Sequence, residues 1–166
     1  MTMIDLLKSA YDNLSYSDDE GDLLIENIYY KIIELHSVSR IEGILGLEEK
    51  LSELVERDNT ITGKNVSVGL DSGYTCYELT GLNRLIVFMI ECIINGMEPV
   101  IIERIGMQRC ISGLYKGYEA IAACMIVNGA ILIQDGVNSE VMVKTLLSMM
   151  PDGLEIKICR DNYNRA

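Results

Sequence analysis

Apolar residues recur at helical spacing from Asp22 to about Arg57, and this pattern constrains the fold more than any other feature of the chain. Leu23, Leu24, Ile28, Ile32, Leu35, Ile44, Leu47, Leu51 and Leu54 mark one side of it. A helix with such a stripe must lie against other elements along its length. Gly43 and Gly46 interrupt the pattern, and each weakens a helix by up to about 1 kcal/mol relative to alanine. A gentle bend or a close helix contact is expected there.

Most of the remaining chain is helical in pattern. Met3, Ile4, Leu6, Leu7, Ala10, Tyr11 and Leu14 form a short amphipathic repeat. Leu79 to Asn95 is strongly apolar and is followed by Gly96, a residue suited to a left-handed C-terminal cap. Pro99 suits the first turn of the next helix, where its missing N–H costs nothing. That helix is expected to run to about Cys110, and another buried one from Gly117 to Gln134. Asp135-Gly136-Val137-Asn138-Ser139 then repeats Asn95-Gly96-Met97-Glu98-Pro99 at an offset of 40 residues. Two such units are too few for a solenoid and read as a pair of helix–Gly–helix corners. Asp58 to Glu78 is rich in turn residues, with strand-like composition at Val66 to Val68 and Tyr74 to Tyr77. Leu154 to Cys159 alternates weakly, as a short terminal strand would.

The expected fold is all-α, or mainly α. It is one domain over residues 1–166, a helical bundle with one long helix, two helix–Gly–helix corners and a loop or small β-hairpin at 64–78. Core material must come from Ile, Leu, Val and Met, because Trp is absent and Phe88 is the only Phe. No stretch reaches the roughly 20 apolar residues that span a bilayer. Leu85 to Ile94 contains Glu91, and Ala120 to Ile133 is interrupted by Asn128 and Gly129, so both read as core helices.

Charge narrows the partners. A net charge of −11 argues against nucleic acid, whose phosphates need clustered Lys and Arg. The five cysteines form no Cys-x-x-Cys pair, and the N-terminus lacks the basic and apolar regions of a signal peptide. Reduced thiols and a cytoplasmic location are expected. No cofactor or metal site is expected, since the lone His36 has no ligand at metal spacing. No motif of an enzyme is present, and the only candidate acid–base groups are His36 and Glu91.

Arg40 and Glu48 are the candidate protein-binding residues. On one straight helix, eight positions separate them by about 12 Å of rise and about 80° of rotation, so they would occupy neighbouring faces without pairing. Spacing alone fits either a solvated mixed-charge face or a docking surface.

Three stretches in order carry a resemblance. They are Ser39-Arg40-x-x-Gly43-x-x-x-Leu47-Glu48, then Ile90 through Asn95-Gly96-Met97-Glu98-Pro99 to Ile102, then Gly129-Ala130-Ile131-Leu132-Ile133-Gln134-Asp135-Gly136 through to Leu146-Leu147-Ser148-Met149-Met150-Pro151. Together they resemble the cytoplasmic portion of the MotA-like flagellar motor stator family. The four membrane helices of that family have no counterpart, so ion conduction is not implied. The resemblance does imply a helical scaffold that contacts a motor partner, the rotor protein FliG, through residues matching Arg40 and Glu48. A helical scaffold or regulator that self-associates, unrelated to motility, is the alternative.

Overall fold

The computed structural model describes residues 1–14, 19–62, 68–69, 75–76 and 81–165. Among them are helices α1 (Met3–Asp12), α2 (Asp19–Ile41), α3 (Gly43–Thr62), α4 (Gly81–Ile94), α5 (Pro99–Ser112), α6 (Gly117–Gln134), α7 (Ser139–Leu147) and α8 (Asp152–Arg165). The class is all-α, as the apolar periodicity requires. Two-residue strands β1 (Val68–Gly69) and β2 (Thr75–Cys76) pair antiparallel, Val68 opposite Cys76 and Gly69 opposite Thr75. They fall inside the expected 64–78 hairpin, whose other residues lie outside the described set.

α6 is the axis of the bundle, packed by α1, α2, α4, α5 and α7. Its sequence explains this. Ala120 to Val127 are all buried, followed by Gly129, Ala130 and Ile133, so every side of the helix is apolar. A helix apolar all round has no solvent face and takes the centre. By length and composition α6 is also apolar enough to cross a bilayer. In this fold 61% of that span is buried by neighbouring helices.

The two Gly corners have the same hydrogen-bonding geometry. At the first, Gly96 N–H donates to Ile93 O at 2.9 Å and Met97 N–H to Cys92 O at 3.1 Å. At the second, Gly136 N–H donates to Ile133 O at 3.0 Å and Val137 N–H to Leu132 O at 3.2 Å. Both are Schellman caps, which need a left-handed residue, and Gly96 (φ 65°) and Gly136 (φ 66°) supply it. The next helix starts differently at each corner. Asn138 Oδ1 accepts from Val141 N–H, whereas Glu98 makes no side-chain cap and Pro99 opens α5.

Two expectations change. The long pattern breaks at Glu42-Gly43 more sharply than a gentle bend, giving α2 and α3 as separate helices. The C-terminal segment is helix α8 and not a strand. Leu154, Ile156 and Ile158 fit a period of two, but only Leu154 and Ile158 are buried, while Ile156 is 59% exposed. The i,i+4 pair packs inward, and the helical period wins.

Two tyrosines tie remote segments together. Tyr11 Oη donates to Met149 O at 2.7 Å, and Tyr115 Oη to Gly81 O at 3.0 Å. Burial is the main cause of the raised pKa of each phenol. The neutral phenol is therefore favoured in the folded state. Its stabilisation is complete below the unfolded pKa of about 10 and is lost as pH climbs through the higher folded value. The Cys92 thiol, pushed up to about 11 by burial and by Glu91, acts with the same sign. Unfolding free energy is expected to fall as pH rises past about 9, where the unfolded thiol ionises, and to fall further past about 10 with the two phenols. Tyr11→Phe with Tyr115→Phe should flatten that fall in denaturant titrations. An alkaline limb identical to wild type would refute the assignment.

Candidate protein-binding surface

The candidate surface is built on the corner between α2 and α3. Gly43 makes the corner possible because its φ of 69° lies in the left-handed region, where a side chain costs roughly 1–2 kcal/mol. Gly46 has a different role. A Cβ there would fall 2.6 Å from Glu42 Cβ and 2.7 Å from Val38 Cγ1. The absence of a side chain lets the start of α3 cross close to the end of α2, which is the close helix contact expected of this glycine. Lys50 Nζ then reaches Glu34 at 3.0 Å and Glu53 at 2.9 Å, tying α3 back along α2. Hydrogen bonds from Lys50 to Glu53 and to Glu34 favour its charged form.

The break resets the helical phase, and this moves residues the pattern had assigned to one stripe. Leu47 is buried, but Ile44 is 53% exposed and Leu45 75% exposed. Ile41, the last residue of α2, is 79% exposed. Three large apolar side chains within five residues of chain therefore stand in water at the corner. Glu42, Glu48 and Glu49 are exposed beside them.

Arg40 and Glu48 are both exposed, but they lie on different helices. Arg40 Nη1 donates to Val137 O at 3.3 Å and to Gly136 O at 3.5 Å, at the corner after α6. One turn earlier on α2, His36 is buried, and its Nε2 donates to the same Val137 carbonyl at 2.9 Å. The lone histidine thus works with Arg40 to pin the end of α2 onto the α6–α7 corner. Among the described residues Glu48 shows no counterpart of this anchor, and its own carbonyl accepts from Ser52 Oγ at 3.1 Å within α3.

No cluster of three or more His, Cys, Asp or Glu side chains is placed to hold a metal ion among the described residues. Cys92, Cys110 and Cys124 are buried free thiols, and Cys159 is an exposed one. Cys110 and Cys124 hydrogen-bond each other between α5 and α6, and this bond, with burial, raises Cys110 well above the usual thiol range. Glu91 is half-buried on α4, next to Cys92.

The missed residues are Ile41, Ile44 and Leu45. Three apolar residues around two glycines were visible in the sequence, but a continuous helix would turn some of them inward. The arrangement defines an all-α bundle that presents an apolar corner edged with charge. No protein-family model, curated protein or solved structure matches the chain.

Proposed function

We propose that this chain is a helical protein–protein interaction module that binds its partner through the α2–α3 corner. The observation that carries this reading is the exposure of Ile41, Ile44 and Leu45 beside Arg40 and Glu48. Apolar anchors with a charged rim are the usual anatomy of a specific interface. The anchors here sit on a corner held from below by His36 and Arg40, so little ordering is needed on binding.

The resemblance of Ser39 to Glu48 to the MotA-like stator segment supplies a candidate partner, the charged surface of the rotor protein FliG. In this reading Ile41, Ile44 and Leu45 provide buried area. Arg40 and Glu48 set orientation and association rate. Binding of purified FliG should weaken with added salt, as exposed charge pairs do. Arg40→Glu combined with Glu48→Lys should lower affinity about tenfold, or 1.4 kcal/mol. Leu45→Asp should lower it further. Unchanged affinity in these variants, or no binding by the wild type, would overturn the rotor assignment.

A second reading has support from the same patch. It carries both signs of charge beside its apolar residues, so two copies related by a two-fold axis can place Arg40 of one against Glu48 of the other. Sedimentation of wild type and Leu45→Asp separates the cases. A wild-type dimer that becomes monomeric in the variant favours self-association.

A further inference from the structure

A cleft of about 320 Å³ lies between α1 and the region where α5 passes into α6. Leu6, Ser9 and Ala10 line it from α1, Cys110 and Ile111 from α5, and Ala120 from α6. It shares no residue with the α2–α3 corner. A water molecule claims about 30 Å³ in the liquid, so the cleft has room for small neutral solutes. Cys110 is a buried free thiol, yet it borders this space. Cys124, a second buried free thiol, lies one helical turn beyond Ala120 on α6.

The packing of α5 on α6 sets these two thiols against each other. A connection of only four residues, 113–116, leaves the helices as antiparallel neighbours. On α5, Ile102, Gly106 and Cys110 are buried at intervals of four and form one stripe. On α6, Ala120, Cys124 and Val127 form the facing stripe. Gly106 fixes the register, because a Cβ there would fall 2.5 Å from Val127 Cγ1. One turn nearer the connection from Gly106 stands Cys110, and one turn nearer it from Val127 stands Cys124. Ala120, a further turn on, borders the cleft together with Cys110, which agrees with this register. The Cys110 thiol donates a hydrogen bond to Cys124 across the interface. With no side chain at Gly106 the helices run close together at this point. Two sulfurs already in hydrogen-bond contact need only a short further approach to reach the roughly 2.05 Å of a disulfide.

We propose that Cys110 and Cys124 form a reversible oxidation site, at which a small peroxide entering by the α1 cleft converts the two thiols into a disulfide joining α5 to α6. Loss of one proton from the pair leaves a single S–H between two sulfurs, and that proton can sit on either. With the proton on Cys124, the Cys110 thiolate on the cleft side is the nucleophile. It attacks one oxygen of the peroxide and the O–O bond breaks. For hydrogen peroxide the leaving hydroxide takes up the proton already lost and becomes water, and Cys110 is left as a sulfenic acid. The Cys124 sulfur then attacks Cys110 Sγ, and its proton departs with the sulfenic hydroxyl as a second water. In sum the two thiols are oxidised to one disulfide and one peroxide is reduced to two waters. The bond closes the chain from Cys110 to Cys124 across the 113–116 connection and staples α5 to α6. A thiol reductant returns both cysteines by exchange.

The test treats the whole folded chain with hydrogen peroxide, caps the remaining thiols with N-ethylmaleimide and maps tryptic peptides by mass spectrometry without reduction. Trypsin places Cys110 in the peptide Cys110–Lys116 and Cys124 in Gly117–Lys144, and neither peptide holds a second cysteine. The expected result is equal loss of both capped peptides and the appearance of their linked product, lighter than their sum by two hydrogen atoms. Dithiothreitol should restore both. In Cys124→Ala, shown to be folded by circular dichroism, the sulfenic acid has no resolving thiol and dimedone should trap it on Cys110. No linked peptide at peroxide doses that consume the exposed Cys159, or linkage only after unfolding in urea, would overturn the site. A folded Cys124→Ala chain whose Cys110 stays a free thiol would overturn the cleft as the route of attack.

Discussion

Ile121→Ala should lower the unfolding free energy by about 2–5 kcal/mol, the range for removing a large aliphatic side chain from a packed core. Ile121 is fully buried on α6, the helix that five others pack against. Its loss removes transfer free energy and leaves a void that those neighbours can close only in part. For a chain of this size each kcal/mol corresponds to roughly 2–4 °C in the melting temperature. A fall on the order of 10 °C is therefore expected by calorimetry. Ile121→Val removes one methylene and should cost only about 0.5–1.5 kcal/mol. This graded pair separates cavity formation from general intolerance of substitution. Equal effects for the two variants would argue that α6 is not the tightly packed axis of the bundle.

His36→Leu should cost about 1–3 kcal/mol, because the replacement keeps a similar volume but removes the buried donor to Val137 O. Arg40→Ala alone should fall within about 0.5 kcal/mol of wild type, since the residue is exposed and its bonds to the corner carbonyls are long. Combining the two leaves the Val137 carbonyl without either side-chain donor. The double variant should lose more than the sum of the singles, as neighbours sharing one partner do. Strict additivity in a double-mutant cycle would mean that the two side chains do not share this acceptor. The cycle also bears on the proposed function. If Arg40→Ala weakens partner binding while leaving stability intact, its role in docking is separate from its role in pinning α2.

Residues 39–49 show where sequence reading succeeds and where it stops. Helix on both sides of the glycines was legible, because apolar spacing and propensity act over a few residues. The close contact at Gly46 was also legible as one of two options. The left-handed turn at Gly43 was not. Glycine tolerates both a helical and a left-handed backbone, so the sequence leaves the choice open. That choice decided that Ile44 and Leu45 face water while Leu47 faces the core. At the C-terminus the failure was of another kind. Leu154, Ile156 and Ile158 satisfy a two-residue and a helical period almost equally, and only packing of Leu154 and Ile158 into the core selects the helix.

The sequence by itself determined the all-α class, the extent of α6 and the twin corners at Gly96 and Gly136. Each rests on interactions within about one or two helical turns, hydrogen bonds and apolar periodicity that a short window contains. The tertiary structure decided which residues meet across the chain. His36 and Arg40 share a carbonyl about a hundred positions away, and Ala10 and Cys110 line one cleft from different helices. Such meetings depend on how the turns at Gly43 and Gly96 direct whole helices. A change of a few tens of degrees at one backbone angle moves a distant side chain by many ångströms, and no local pattern records it.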